Sequence, residues 1–148
     1  MISTTPLTAA DATTGSFTVM GIQVTPKVDA AETNGQFSII EEVVPPGLGV
    51  PPNISHRETR VFYVVSGEFS MQVGAITRHV TAGDALFVPA GAINSLVNTG
   101  SEPGTLLASF TPAGHEEFLH ELSELVQGEP SEQEVTDLFE RYGVELAN

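Results

Sequence analysis

The side chains of this sequence that could do chemistry are four histidines and one arginine beside an apolar run. Histidine exchanges protons near neutral pH and is a common metal ligand. His115 and His120 lie five residues apart, which on a helix separates their side chains by about 140°. They therefore do not form the metal-binding pair of a zinc protease, whose histidines are spaced four apart. His79 follows Arg78 in a strand-like run and is predicted to be a surface residue.

The composition excludes several kinds of chemistry. The sequence has no cysteine, which rules out disulfides, thiolate nucleophiles and cysteine-bound metals. It has neither a glycine-rich phosphate loop nor a nucleophile elbow. The chain carries nineteen acidic and five basic residues, and the resulting net charge of −14 repels phosphate backbones and anionic membranes. We therefore predict no nucleic-acid partner and no membrane partner.

Arg60 comes directly before an apolar run and is the most informative charged residue. Because side chains alternate along a strand, Arg60 lies on the same face as Phe62 and Val64. If that face fills a core, the guanidinium is buried and needs an acidic partner or an anionic ligand. Glu41 or Glu42 is the internal candidate, and a carboxylate or enolate of a bound ligand is the other. The alternative interpretation is an outward-facing surface arginine.

The elements that position these residues are predicted to be short strands. From residue 16 to residue 110, runs rich in valine, isoleucine and phenylalanine alternate with turn residues such as Asn34-Gly35 and Gly83-Asp84. This pattern is typical of an all-β sandwich or barrel. The predicted strands cover residues 17–24, 37–44, 61–65, 68–73, 76–80, 85–88, 94–97 and 105–110.

Two amphipathic helices are predicted after the strands. Phe118 and Leu122 recur at helical spacing in a segment that ends at Gly128. Ser131 and Glu134 form a capping-box pattern before a second apolar stripe. We expect both helices to pack on the outside of the barrel.

The length of 148 residues fits one domain. We divide the chain into a loose N-terminal arm over residues 1–15, a β-barrel over residues 16–112 and C-terminal helices over residues 113–148. The first ten residues lack the basic start and the apolar stretch of a secretory signal, which predicts a cytoplasmic protein.

Two segments resemble the sequence motifs of the cupin superfamily. Residues 51–68 are similar to the first motif, which in the family runs Pro-Pro-His-x-His, a short turn, Glu-x-Phe-Tyr-Val and a Gly-Glu hairpin. Residues 83–98 are similar to the second motif, Gly-Asp-x4-Pro-x-Gly-x2-His-x3-Asn. The motifs stand in the family's order, and the likeness covers roughly residues 16–146. It implies a double-stranded β-helix, the cupin or jelly-roll barrel, with two C-terminal α-helices.

The sequence departs from the family at all four metal-ligand positions. The resemblance places the family's first-motif histidines at Asn53 and Ser55, its glutamate at Arg60 and its second-motif histidine at Asn94. Three imidazoles and a carboxylate bind a divalent transition metal. Amide and hydroxyl oxygens bind such metals poorly, and a guanidinium has no lone pair to offer. We therefore predict no metal and no other cofactor.

The resemblance makes the same positions a ligand pocket. Asn53, Ser55 and Asn94 would form hydrogen bonds to a ligand or to ordered water, with Phe62 beside them on the inner face. The alternative is that the three polar residues only form turns after proline or glycine.

His56 falls in the turn before the Arg60 strand, near the mouth of the barrel that the resemblance implies. There it either exchanges a proton with a ligand or is a solvent-exposed turn residue. A shifted metal site built on His56, Glu58 and another donor is a further alternative.

Known cupins include isomerases, epimerases, cyclases, lyases and metal-dependent dioxygenases. Because oxygen activation relies on the metal, the resemblance without metal ligands favours a metal-independent isomerase, cyclase or lyase. Its substrate would be a small carbonyl or carboxylate metabolite of specialised metabolism. The assigned residues are Arg60, Asn53 and Asn94 for stabilising an enolate, and Glu41, Glu42 or His56 for moving the proton. The alternatives are a non-catalytic metabolite-binding cupin and a quercetinase-like dioxygenase with an unusual ligand set.

The strand over residues 61–65 is apolar on both faces. One face can fill the barrel, while the other, which includes Tyr63, needs a second layer or a partner chain. Cupins commonly pair through exposed sheet edges, so the resemblance predicts a homodimer.

Overall fold

The computed structural model describes residues 15–147, so nearly all of the N-terminal arm expected over residues 1–15 lies outside the described residues. Within the described range the chain forms eleven strands and three short helices. The strands are β1 Phe17–Val19, β2 Ile22–Val28, β3 Ser38–Val44, β4 Gly49–Ser55, β5 Thr59–Ser66, β6 Glu68–Val73, β7 Ile76–Thr81, β8 Ala85–Val88, β9 Ile93–Asn98, β10 Gly104–Thr111 and β11 Val144–Leu146. The helices are α1 Ala30–Thr33, α2 His115–Leu125 and α3 Glu132–Tyr142.

The strands form two sheets with antiparallel neighbours. One sheet has the order β1-β2-β3-β10-β5-β8, and the other has the order β11-β4-β9-β6-β7. The chain crosses repeatedly between the sheets, because β3, β5, β8 and β10 lie in the first sheet while β4, β6, β7 and β9 lie in the second. This is the arrangement of a double-stranded β-helix, and it confirms the fold class predicted from the sequence.

Alternation along β5 shows which side of the first sheet is the core. Arg60, Phe62 and Val64 are buried, whereas Val61 and Tyr63 between them are exposed. The apolar core between the sheets stabilises this orientation, because a shift by one residue would expose the whole apolar set. The alternation predicted for Arg60 is therefore confirmed.

Two strands were not predicted from the sequence. Strand β4 contains Pro51 and Pro52, which lack the N–H that a strand interior donates, and its pairing with β9 is irregular between Val50 and Asn53. Gly49 opens this strand where the neighbouring chain comes very close, since a Cβ atom there would lie 1.9 Å from the Leu96 carbonyl oxygen. Strand β11 is only three residues long and follows a helix, so no periodicity marks it.

The predicted strand over residues 17–24 is instead a tight hairpin. Met20 and Gly21 both have positive φ, at 48° and 84°, and they connect β1 to β2 with Val19 opposite Ile22. Two consecutive residues with positive φ match the twist of a two-residue hairpin.

The two C-terminal helices are confirmed, with the predicted signals at their ends. Ser131 accepts from the Glu134 N–H while Glu134 accepts from the Ser131 N–H, and Gly143 ends α3 with a φ of 68°. Helix α2 continues as a 3₁₀ turn to Gly128, the predicted stop. Within residues 15–147, each helix is too short or too polar to span a bilayer.

The helices close one end of the barrel. Phe118 of α2 and Phe139 of α3 pack edge to face, with ring centroids 5.0 Å apart, and both line the same cavity as the interior residue Arg60. The helices therefore pack at the mouth of the barrel, a location that the sequence did not specify. The apolar faces of the helices are buried because they point into the barrel mouth, where β11 pairs with β4.

Candidate functional site

Arg60 lies inside the barrel and makes hydrogen bonds on three sides. Its residue is 3% exposed, and Nη1 donates to Asn53 Oδ1 at 3.0 Å and to Asn94 Oδ1 at 3.4 Å. Nη2 donates to Glu58 Oε1 at 3.3 Å. Burial lowers the pKa of Arg60, while the Glu58 and Glu42 charges raise it, and an arginine keeps its proton in such a site. The guanidinium is therefore a fixed buried cation.

The two asparagines are oriented by each other's backbone. Asn53 and Asn94 are opposite one another on β4 and β9. The Asn53 amide nitrogen donates to the Asn94 carbonyl at 3.3 Å, and the Asn94 amide nitrogen donates to the Asn53 carbonyl at 3.2 Å. Because both NH₂ groups bond to backbone, both side-chain oxygens are left to face the cation. This exchange explains why two asparagines, rather than two acids, surround Arg60.

Glu58 connects Arg60 to helix α2. The same Oε1 atom that accepts from Arg60 lies 3.2 Å from Nδ1 of His115, the first residue of α2. Burial alone would raise the pKa of Glu58, but the hydrogen bond and charge of His115, with Ser55 and Arg60, lower it to about 2. Burial, with Arg60 next, lowers the pKa of His115 to about 4. At neutral pH Glu58 is therefore ionised and His115 is neutral.

Glu42 is the second acid of the interior. It lies on β3 with Ile40 and Val44 on the buried face, and the residue is 5% exposed. Burial raises its pKa to about 7, although the Arg60 charge acts in the opposite direction. No hydrogen bond or ion pair to the Glu42 carboxyl is present within residues 15–147. A carboxyl with this pKa exchanges its proton near neutral pH.

A partly enclosed cavity of about 60 Å³ is lined by both Arg60 and Glu42. Its polar lining is Glu42, Asn53, Arg60 and His115, and the rest of its wall is mainly apolar side chains from the β1–β2 hairpin and the C-terminal helices. Space of this size holds a few water molecules. Arg60 Nε is buried without a hydrogen-bond partner in the described chain. The cavity is therefore an apolar chamber with a cation and a titratable carboxyl in its wall.

The structure places the other predicted site residues apart from this cavity. Glu41 points to the outer face of β3, where its carboxylate lies 3.9 Å from Lys27 Nζ. His56 is exposed and lies 2.9 Å from Glu145 on β11, so it is a surface residue that bridges β4 and β11. Phe62 is buried in the barrel but lies outside the lining of the cavity. The Arg60 partner expected at Glu41 or Glu42 is instead Glu58.

Ser55 occupies an intermediate position. It is 3% exposed and its hydroxyl has no well-formed hydrogen bond within residues 15–147, although it approaches Glu58 closely enough to help lower the pKa of that carboxyl. Ser55 therefore lies beside the ion pair of Arg60 and Glu58 and is not part of the cavity wall.

Two residues of the site, Glu58 and His115, were not predicted to bind a ligand; the sequence suggested Glu58 only as a donor of an alternative metal site. Glu58 lies two positions before Arg60, and this spacing puts both side chains on one strand face, so the signal was present. His115 is far away in sequence and reaches the site only because α2 packs across the barrel mouth. It stacks on Phe110, with ring centroids 4.5 Å apart. No local pattern indicates that position.

Comparison with known proteins identifies the family. A sequence profile described as the Cupin domain matches residues 40–110, which include Asn53, Arg60 and Asn94. A crystal structure of an RmlC-like cupin from Shewanella frigidimarina is similar over 68% of this chain and 85% of that one, with 26% identity and a TM-score of 0.59. The chain belongs to the cupin superfamily.

This cupin is also similar to segments of two longer proteins. It is 38% identical over 69 residues to an H2HPP isomerase of Bacillus subtilis, which is 43% of this chain and 29% of that protein. It is 30% identical over 81 residues to mannose-1-phosphate guanylyltransferase 2 of Escherichia coli O157:H7, which is 55% of this chain and 17% of that protein. The chain thus spans less than a third of the length of the curated relatives that it matches.

The interior of this cupin does not fit a metal ion. The four positions that match the family's ligands hold Asn53, Ser55, Arg60 and Asn94, and the Arg60 guanidinium already binds both amide oxygens. Among residues 15–147, no group of three or more histidine, aspartate or glutamate side chains is arranged to hold a metal ion. A cation added beside Arg60 would meet a positive charge instead of an anionic donor.

Proposed function

We propose that this cupin is a metal-independent enzyme that moves a proton on a small carbonyl- or carboxylate-containing metabolite, as an isomerase, cyclase or lyase. One observation carries the proposal. Arg60 Nε–H and the Glu42 carboxyl, two polar groups without hydrogen-bond partners in the described chain, belong to residues that line one partly enclosed cavity. A ligand in this cavity meets a fixed positive charge and a proton carrier between mainly apolar walls.

Arg60 would stabilise negative charge on the ligand. Asn53 and Asn94 accept from both hydrogens of Nη1 and Glu58 accepts from one hydrogen of Nη2, which leaves the Nε–H and the second Nη2–H as donors for a ligand. A donor that is already fixed in a low-dielectric site costs no reorganisation when charge develops on an oxygen. A carbonyl oxygen that accepts from Nε would therefore be stabilised as it becomes an enolate oxygen.

Glu42 would carry the proton. Its carboxylate takes a proton from the carbon next to the carbonyl, the C–H electron pair forms a C=C bond, and the carbonyl π pair moves onto oxygen. In a substrate whose enolate is conjugated with a further C=C bond, return of the proton from Glu42 to the far carbon of the conjugated system gives an isomer. In a lyase reaction, the carbonyl re-forms as a leaving group departs from the β carbon with its bonding electrons and takes the proton from Glu42. In a cyclase reaction, the enolate carbon attacks a second carbonyl of the same molecule, and the new alkoxide takes the proton from Glu42. A pKa of about 7 suits both directions of transfer.

Two further points support proton transfer over oxygen chemistry. One of the proteins that this chain is similar to is named as an isomerase, although the match covers a minority of both chains. The quercetinase-like dioxygenase alternative needs metal donors that Asn53, Ser55, Arg60 and Asn94 do not supply. The non-catalytic alternative uses the same cavity, in which the ligand binds at Arg60 and Glu42 never exchanges a proton with it.

The cavity of about 60 Å³ is small for a metabolite. Entry of a larger ligand would require the mouth to open, and α2 and α3 are the elements that cover it. We propose that these helices move together when a ligand enters, since Phe118 and Phe139 hold them to each other.

Exchange of carbon-bound hydrogen in D₂O tests the proposal without knowledge of the substrate. The full chain is incubated with pyruvate, 2-oxobutyrate and acetoacetate, and loss of the proton next to the carbonyl is followed by ¹H NMR. We expect exchange of at least one compound above the protein-free rate, a loss of at least tenfold in Glu42→Gln and in Arg60→Met, and no change in Glu41→Gln on the outer face.

The outcomes separate the two hypotheses. Binding that depends on Arg60 without exchange of any compound would favour the non-catalytic alternative. Exchange that persists in Glu42→Gln would remove Glu42 from the mechanism, and compounds that neither bind nor exchange would count against both hypotheses for this ligand class.

We further propose that the protein acts in the cytoplasm as a homodimer. The outer faces of β5 and β8 carry exposed apolar side chains, among them Tyr63 at 44% and Phe87 at 58% exposure. Strand β8 is also an edge of its sheet. A second copy that covers this surface would remove the apolar patch from water.

A further inference from the structure

The tautomer of His115 follows from its contact with Glu58. His115 Nδ1 lies 3.2 Å from Glu58 Oε1, and an ionised carboxylate can only accept a hydrogen bond. Since His115 is neutral at pH 7, its single ring proton must sit on Nδ1. The other ring nitrogen, Nε2, then carries a lone pair and can only accept.

The position of His115 is fixed by two further contacts. Its ring stacks on Phe110 at 4.5 Å, and the Arg60 guanidinium carbon lies 5.7 Å from the centroid of the same Phe110 ring. Both Arg60 and His115 contact a single oxygen of Glu58 and both line the cavity. A fixed cation and a fixed neutral imidazole therefore stand side by side in the cavity wall.

The second ring nitrogen of His115, Nε2, has no hydrogen-bond partner in the described chain. The side chain is 10% exposed and lines both this cavity and a second pocket, which Arg57, Glu58 and Tyr142 also line. A ligand or water in either space can therefore supply a donor for this nitrogen.

We propose that His115 Nε2 accepts a hydrogen bond from a ligand hydroxyl, so that the ligand of this cavity is a short hydroxy acid whose carboxylate lies at Arg60. This inference rests on the proposed function, because it assigns the carboxylate to Arg60, and it adds the hydroxyl and the residue that selects it. Glu58 acts as a positioning residue, since it holds the imidazole in the accepting tautomer. The cavity volume of about 60 Å³ limits the ligand to a few carbon atoms unless the helices move.

Three acids of similar size test the assignment. Lactate carries a hydroxyl donor, pyruvate carries only an acceptor at that carbon, and propionate carries neither. Each is titrated into the full chain labelled with ¹⁵N-histidine, and binding is followed by the ring nitrogen resonances. We expect lactate to bind about tenfold more tightly than pyruvate or propionate, as one hydrogen bond allows.

Variants separate His115 from Arg60. His115→Phe keeps an aromatic ring on Phe110 but removes the hydrogen-bond acceptor. It should bind the three acids with equal affinity, because lactate loses its additional hydrogen bond. Arg60→Met should weaken all three by at least tenfold. Without ligand, the His115 ring should show a protonated Nδ1 and an unprotonated Nε2, and Glu58→Gln should lose this preference while Glu58→Asp restores it.

The results that overturn the inference differ from those that overturn the proposed function. Equal affinities of the three acids in the wild-type chain, or a protonated Nε2, would disprove the role of His115 and leave Arg60 as the carboxylate site. Binding of none of the acids, or binding that Arg60→Met leaves unchanged, would remove the carboxylate site itself and with it the basis of both proposals.

Discussion

Arg60 Nη2 donates to Glu58 Oε1 at 3.3 Å, and both side chains are buried, at 3% and 8% exposure. Removal of one partner leaves an uncompensated charge in the interior, which costs about 3–5 kcal/mol in comparable pairs. The energetic link between the two residues can therefore be measured.

We expect Arg60→Met and Glu58→Gln each to lower the free energy of unfolding by about 3–5 kcal/mol. The loss in the double variant should be smaller, by about 1–3 kcal/mol, than the sum of the losses in the two single variants. Urea unfolding of all four proteins gives the coupling. The partly exposed pair Lys27 and Glu41, whose charged atoms lie 3.9 Å apart, is the control and should couple by less than about 1 kcal/mol. Additive effects of Arg60 and Glu58 would show that the ion pair contributes nothing beyond packing.

Glu42 should make the stability depend on pH near neutrality. Because burial raises its folded-state pKa from 4.5 to about 7, the folded protein holds this proton more tightly than the unfolded chain. The contribution is fully present below pH 4.5 and is lost as the pH rises to about 7. Between pH 4.5 and about 7, we expect the free energy of unfolding of the wild-type chain to fall by up to roughly 3 kcal/mol more than that of Glu42→Gln. Urea unfolding at several pH values measures this difference.

A neighbouring residue provides the control for this effect. Glu41 is adjacent in sequence but points to solvent and pairs with Lys27. Glu41→Gln should leave the pH profile of the wild-type chain in place. If Glu42→Gln and the wild-type chain change in parallel with pH, then the carboxyl is not held in its protonated form by burial.

The interior should bind a metal only after its donors are restored. We expect elemental analysis of the purified protein to find less than about 0.1 equivalent of manganese, iron, nickel or zinc. The variant Asn53→His, Ser55→His, Arg60→Glu, Asn94→His has three imidazoles and a carboxylate at the family's positions, and it should take up about one equivalent and gain thermal stability with added metal. Stoichiometric metal in the wild-type protein would contradict the assignment of a cation site to Arg60.

The assembly should depend on the outer face of β5. We expect sedimentation equilibrium to show a dimer, and Tyr63→Glu to shift it to a monomer, because a charge would be buried at the contact without a partner. Ile76 is 59% exposed on β7 of the other sheet, so Ile76→Glu is the matched control and should leave the dimer intact. A monomeric wild-type chain at high concentration would rule out the dimer.

The sequence predicted that Arg60 is a cation in the interior, but it did not predict which residues contact it. Arg60 could be placed because strand alternation with Phe62 and Val64 depends only on neighbours in the chain. The same rule separates Glu42 from Glu41, yet it applies only once the inner face of β3 is known. The contacts with Asn53 and Asn94 needed the motif resemblance, since these residues meet through pairing of distant strands.

The missed features are those that depend on tertiary structure alone. Proline is unfavourable inside a strand, so Pro51 and Pro52 gave no strand signal. Strand β4 forms nonetheless, because its pairing with β9 is irregular where the two prolines lie. The helices were predicted correctly from their caps and apolar stripes, but no local signal shows that they cover the barrel mouth. For that reason His115 was considered only as a member of a helical metal motif.

The charge at Arg60 is attached to the chain by covalent bonds, which distinguishes it from a charge supplied by a bound ion. It cannot be removed by a chelating agent, replaced by a competing metal or altered by oxidation, and it does not depend on the supply of a trace element. Each folded molecule therefore has its interior positive charge in place from the start, whatever the metal content of its surroundings.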